Sequence, residues 1–226
     1  EHLSGLANTE AKHRYQLRDD PDNAQARLGL AQTYMAMRKT AEAITQLRAL
    51  LLTDPDHRNA GLQLCQLLAQ SNDLESAIDL ANSLAQRLPS DPDVHLTLGN
   101  VHRMANRLDE AEQAFTRVVE LNPGLAAGWQ NLGNLCLAKR EPECAVGYFQ
   151  KAIEILPERA ESHFNLGSAY AGLGSMEEAR TAFEGALIAD PAYVRAHLAL
   201  GDVFERLQQP AAAREAYSTF IDKWRG

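Results

Sequence analysis

The side chains of this chain best able to bind a metal or attack a substrate are seven histidines and three cysteines. Imidazole and thiolate are common zinc and copper ligands, and a thiolate is also suited to nucleophilic or redox work. Their spacing supports none of these roles. Cys65, Cys136 and Cys144 are odd in number and follow no C-x2-C pattern, which argues against a disulfide framework or a zinc knuckle and favours a reducing compartment. Cys136 and Cys144 read as neighbouring buried thiols, with a redox switch as the alternative. His95, His163 and His197 are spaced by multiples of 34 residues. In a stack of helix layers on the order of 10 Å thick, they cannot share an ion. No P-loop, G-x-S-x-G elbow, H-E-x-x-H or G-x-G-x-x-G occurs. The expectation is no enzyme, no cofactor and no metal.

Charge narrows the partners further. Lys and Arg number 22 against 30 Asp and Glu, a net charge of −8. An acidic chain has no positive field for phosphate or anionic lipid, so nucleic acid and membrane surfaces are excluded as default partners. No apolar run is long enough for a spanning helix. The chain opens on Glu1, which reads as a fragment or a processed form. The cytoplasm is the favoured location, with a periplasmic or membrane-tethered piece as the alternative.

The elements that must position any functional side chain are set by the prolines. Pro21, Pro55, Pro89, Pro123, Pro157 and Pro191 lie 34 residues apart. Self-similarity at that period signals stacked supersecondary units rather than one globular core. Units are counted from the third residue after each proline. Position 7 is then always leucine (Leu30, Leu64, Leu98, Leu132, Leu166, Leu200) and position 20 always alanine. Position 8 is always small, as in Gly133, Gly167 and Gly201, whereas position 24 is large in most units, as in Phe149, Phe183 and Tyr217. Small holes on a first helix facing knobs on a second allow two antiparallel helices to approach closely. First helices are expected near 24–37, 58–71, 92–105, 126–139, 160–173 and 194–207, with second helices beginning three to four residues later. Pro92, Pro142 and Pro210 fall in first turns, where a missing N–H costs nothing.

Trp129, Leu132, Gly133, Ala145, Phe149 and Pro157 resemble the tetratricopeptide-repeat pattern W-x2-L-G-x2-Y, A-x3-F, P, with Cys136 in place of the tyrosine. The next unit repeats it with His163, Leu166, Gly167, Tyr170, Ala179, Phe183 and Pro191. The resemblance implies an all-α fold, a right-handed α-solenoid or superhelix of antiparallel helix pairs. Its units would be 24–57, 58–91, 92–125, 126–159, 160–193 and 194–226, preceded by residues 1–23, which resemble the second helix of a further repeat. The unit at 58 carries Gly61, Cys65 and Ala81 where larger groups are usual and reads as a weaker joint. Tyr217, Phe220, Ile221 and Trp224 form an i, i+3, i+4, i+7 stripe that a following helix or a second copy could cover.

In tetratricopeptide arrays the first helices line a concave groove, and the resemblance assigns to it Asn100, Arg103, Gln130, Asn131, Asn134, Asn165, Ser168, Arg195 and Asp202. Gln63 and Gln66 extend the row. Carboxamides suit a sequence-tolerant peptide groove, because each can donate to a backbone carbonyl and accept from a backbone N–H. The carboxylate clamp of chaperone-binding arrays is matched at Asn134, Asn165 and Arg195, but Gln130 and Ala199 stand where two cations belong. NLGN at 131–134 and FNLG at 164–167 are more similar to the asparagine-lined arrays attached to O-linked N-acetylglucosamine transferases. The expectation is a non-catalytic protein-interaction scaffold that binds an extended peptide or a partner helix. The alternative is a substrate-recruiting domain of a larger enzyme, such as a glycosyltransferase-type protein.

Overall fold

The structure, a computed structural model, describes residues 2–225. Those residues form thirteen helices and no strand. After α1 (His2–Asp19) come six pairs. They are α2 (Ala24–Ala36) with α3 (Thr40–Thr53), α4 (Arg58–Gln70) with α5 (Leu74–Arg87), and α6 (Pro92–Met104) with α7 (Leu108–Leu121). The remainder are α8 (Ala126–Ala138) with α9 (Pro142–Ile155), α10 (Ala160–Leu173) with α11 (Met176–Ala189), and α12 (Val194–Arg206) with α13 (Pro210–Arg225). The helices begin where the 34-residue register places them, and Pro92, Pro142 and Pro210 each open one. The fold is an all-α solenoid of antiparallel helix pairs. The chain divides into two compact units, residues 1–114 and 115–226.

Each helix pair turns at one residue in the left-handed region. Arg38, Asn72, Asn106, Arg140, Gly174 and Gln208 all have positive φ, and all occupy position 15. The same two hydrogen bonds recur around each of them. In α2, Lys39 N–H reaches Tyr34 C=O at 2.8 Å and Arg38 N–H reaches Met35 C=O at 3.0 Å. The corresponding pairs follow α4, α6, α8, α10 and α12. This is the Schellman arrangement, which satisfies carbonyls a helix end would otherwise leave unpaired. One of the six positions is glycine and two are asparagine, the types that favour the left-handed region, so residue type marks the turn in only three repeats.

In the first unit the core gathers Leu30, Leu47, Leu50, Leu64 and Leu68, joined by Cys65, Ala81, Leu84 and Val94. In the second, Phe149 packs with Ala145, Cys136 and Ala169, and Phe183 with Leu200 and Val203. The small positions work as holes. A Cβ added at Gly133 would lie 2.6 Å from the Phe149 ring, and one at Gly167 equally close to Phe183. At the unit expected to be a weak joint, Leu84 fills the space beside Gly61 and is itself fully buried. The missing bulk at Ala81 and Gly61 is therefore supplied from position 27.

Position 4, where tetratricopeptide repeats favour tryptophan, has a polar function as well. Trp129 Nε1 donates to Pro123 C=O at 2.8 Å, and His95 and His163 place Nε2 at 3.0 and 2.8 Å from Pro89 and Pro157 C=O. Arg27 makes the same link to Pro21. In the sixth repeat Lys223 reaches Pro191 C=O at 2.7 Å instead. Histidine can replace tryptophan because both offer a ring N–H at that reach, and each position 4 bond ties the loop carbonyl of one repeat to the first helix of the next, whereas Lys223 ties it to the second.

One expectation is overturned. Cys136 and Cys144 are not free thiols: they are joined by a disulfide between α8 and α9, with Cα atoms 6.1 Å apart. Positions 11 and 19 face each other across the helix pair, so pairing needs no framework of further cysteines. The odd cysteine count thus carries no argument for a reducing compartment. Cys65 alone is free, and burial pushes its thiol up to about 12.

Two stability predictions follow from backbone and burial. Gly174→Ala places a Cβ at φ +80° and lowers stability by about 1 kcal/mol. Gly147→Ala, in a helix with open space around the new methyl, raises it by about 0.5–1 kcal/mol; urea unfolding of both variants checks the contrast. His102 is buried with Nδ1 unpartnered, and desolvation holds it below the ordinary histidine value of 6.5, with Arg107 adding to the shift and Glu110 opposing it. Its neutral form therefore contributes stability that is present above about pH 6.5 and lost as pH falls toward its folded value. His102→Tyr should show a smaller drop in urea midpoint between pH 7.5 and 5.5 than the parent chain; an equal drop counts against His102 as a source.

Candidate functional site: polar faces of the first helices

Within the second unit, α8, α10 and α12 carry most of the expected row. Asn165 Nδ2 donates to Asn134 Oδ1 at 3.0 Å, a bond between adjacent first helices. It uses one donor and one acceptor, so Asn134 keeps its amide N–H pair and Asn165 its oxygen for a ligand. Asn131 Nδ2 bonds to Ala127 C=O of its own helix at 2.9 Å, and Ser168 Oγ to Phe164 C=O at 3.0 Å. The Arg195 guanidinium is exposed and stacks 4.7 Å from the centre of the Phe164 ring. That contact holds a cation beside the Asn165 helix, where its guanidinium also hydrogen-bonds to the Tyr193 hydroxyl.

Two expected members do not join this row as open groups. Gln130 is 3% exposed, and its Oε1 accepts from the buried Ser162 Oγ at 3.3 Å. It is a link between neighbouring repeats, because position 5 of α8 turns toward position 3 of α10. Asp202 is exposed but accepts the Tyr217 hydroxyl at 2.8 Å, which ties it to α13. Burial and the adjacent Asp202 carboxylate both raise the Tyr217 phenol above its usual range.

The first unit has its own cleft, of about 380 Å³, between α4 and α6. Gln63, Gln66, Gln70, Thr97 and Asn100 supply its polar groups, and Leu62, Val101 and Met104 its apolar ones. Gln63 Oε1 is buried there without a protein partner. Arg103 is exposed on α6 outside that lining. Leu62, Gln70, Thr97 and Met104 occupy groove positions 5, 13, 6 and 13, so the register that identified Asn100 could have found them too; polar type alone concealed the apolar members.

Among the described residues, the one trio able to offer metal ligands is Cys136, Glu141 and Cys144, and its two sulfurs are bonded to each other. On α13, Ile221 and Trp224 remain exposed, and Phe220 stacks on Trp224 at 5.8 Å. No described helix is long and apolar enough to cross a membrane.

Two tetratricopeptide-repeat family models match, one over residues 7–68, 36–101 and 68–136 and the other over 131–194 and 164–226. No curated protein matches. Solved structures show the same fold. The Pseudomonas aeruginosa pilF protein aligns with a TM-score of 0.75 at 18% identity, covering 90% of this chain and 92% of its own. A tetratricopeptide repeat protein from Parabacteroides merdae reaches 0.74 at 15% identity, over 98% and 88% of the two chains. YrrB, described as a TPR protein with an unusual peptide-binding site, reaches 0.63 at 21% identity, over 78% and 91%.

Proposed function

Because this chain belongs to the tetratricopeptide-repeat family, whose helix pairs form interaction surfaces, we propose that it is a non-catalytic scaffold whose first helices bind an extended peptide of a partner protein. The observation that carries this reading is the Asn134–Asn165 bond. Two amides from neighbouring helices are held in a fixed pair, each with hydrogen-bonding capacity left over, and a peptide backbone presents the complementary donors and acceptors. Asn131 and Ser168 flank that pair, and Arg195 supplies one cation for a carboxylate or carbonyl of the ligand. With Gln130 occupied inside the stack, the second unit lacks the cation set needed to clamp a C-terminal carboxylate, so recognition rests on the peptide main chain.

The cleft of the first unit has the same chemistry on its own scale. Gln63, Gln66, Thr97 and Asn100 can pair with main-chain groups, and Leu62, Val101 and Met104 accept one apolar side chain. The buried, unpartnered Gln63 Oε1 gains most from a ligand N–H, since leaving a buried acceptor unpaired costs about 1–3 kcal/mol.

The test is the triple variant Asn131→Ala/Asn134→Ala/Asn165→Ala, compared with the parent chain in capture of partner proteins from the source organism and in binding of the peptides so identified. All three side chains are half-buried surface groups, so helicity by circular dichroism should be retained. The expected outcome is binding weakened by at least about tenfold, or about 1.4 kcal/mol. Undiminished binding by a fully helical variant refutes the assignment.

A further inference from the structure

The second helices of the 115–226 unit carry a groove that the amide row does not use. It lies between α9 and α11 above α10 and encloses about 1080 Å³. Ile153, Leu166 and Ala182 give it an apolar lining. Ile188, on the same lining, is 84% exposed. Its polar groups are already engaged within the protein: Gln150 Nε2 donates to the Tyr170 hydroxyl at 3.1 Å, and His163 Nε2 is bonded to Pro157 C=O. The surface left to a partner is therefore greasy in the middle.

Its rim is acidic. Glu154, Glu177, Glu178 and Glu184 line the groove, and no lysine or arginine does. Lys151 pairs with Glu154, and the half-buried Arg180 with Glu177 and Glu184, all as i,i+3 or i,i+4 contacts within one helix. Such pairs contribute little and exchange readily. Glu178 makes no ion pair among the described residues. The groove lining thus combines an apolar strip with four carboxylates, Glu178 unpaired and the other three in local pairs that a partner's cations can replace, the complement of an apolar stripe flanked by cations.

We infer that the α9–α11 groove docks a basic amphipathic helix of a partner protein, its apolar residues at i, i+3 or i+4, and i+7 against Ile153, Leu166 and Ile188, and its Lys and Arg residues against the four glutamates. The occupant is helical for a backbone reason. The groove walls are helices whose own N–H and C=O groups are paired, so an extended segment would find no main-chain partners there, whereas a helix satisfies its own. The charge of the rim selects a cationic partner and speeds its arrival. This site is separate from the amide row, so the chain can hold two different segments at once.

Fluorescence anisotropy with the full chain tests this. The probe is a labelled helical peptide of about 18 residues, with leucine at the three- and four-residue spacing and lysine on both flanks. Its counterparts carry glutamate in place of lysine, or serine in place of leucine. The lysine–leucine peptide should bind, with both counterparts weaker by at least about tenfold, and its affinity should fall as salt rises from about 0.05 M to 0.3 M. Glu178→Lys/Glu184→Lys and Ile188→Ser should each weaken binding by a comparable factor. A charge-matched control on the first unit, Glu42→Lys/Asp79→Lys, and the triple asparagine variant should leave it unchanged. Equal weakening by the charge-matched control would reduce the effect to net charge and overturn the proposal, as would equal binding of the glutamate or serine peptide. Loss of binding in the asparagine variant alone would move the site to the amide row and overturn it too.

Discussion

Everything in this protein depends on the closeness with which two helices of a pair can approach. A small residue at position 8 of the first helix receives a large side chain from position 24 of the second, as at Gly133 with Phe149, Gly167 with Phe183 and Gly201 with Tyr217. That contact sets the distance within those pairs, and beside Gly61 Leu84 from position 27 takes its place. The left-handed residue at position 15 sets the turn, and the ring N–H at position 4 fixes the first helix to the loop before it. The turn recurs in all six repeats and the other two devices in most of them, so each unit is built largely from nearest-neighbour contacts.

The functional surfaces follow from that geometry. A first helix held by its position 8 hole has its position 6 and 9 side chains directed away from its partner helix, and there Asn131, Asn134 and Asn165 stand. Close stacking brings Asn134 and Asn165 within hydrogen-bond range. The second helices are held by the same knobs, and their outward positions form the acidic border of the α9–α11 groove. Four of the chain's 30 acidic residues thus have a place on the second helices, while the amide row is nearly neutral. The overall charge of −8 selects no partner, whereas the distribution of charge between helix faces is what distinguishes the two proposed binding surfaces.

Helix positions were legible because proline, leucine and alanine recur at fixed intervals and each acts locally, through a missing N–H or a required volume. The turns were not, since Arg38, Arg140 and Gln208 carry no signature of positive φ; the Schellman bonds hold these residues there against their preference. Gln130 was misplaced for a related reason. Register put it in the groove, but its fate depends on Ser162 in the next repeat, a contact that no position read alone reveals. For the cysteine pair the register does bring positions 11 and 19 together, and it is the odd count that argues against a bond between them. At Gln130 what remained hidden was a relation between residues rather than a residue type.

The dependence of the structure on the position 8 and position 24 contact is tested most directly by a double-mutant cycle on Gly133 and Phe149, read by urea unfolding. Gly133→Ala alone should destabilise, because its Cβ would sit 2.6 Å from the ring. Phe149→Ala alone should cost about 3–5 kcal/mol. Together they should cost less than the sum by about 1–3 kcal/mol, since the new methyl then occupies space the ring has vacated. Additivity within about 0.5 kcal/mol would mean that the two positions do not govern one another, and would contradict the account.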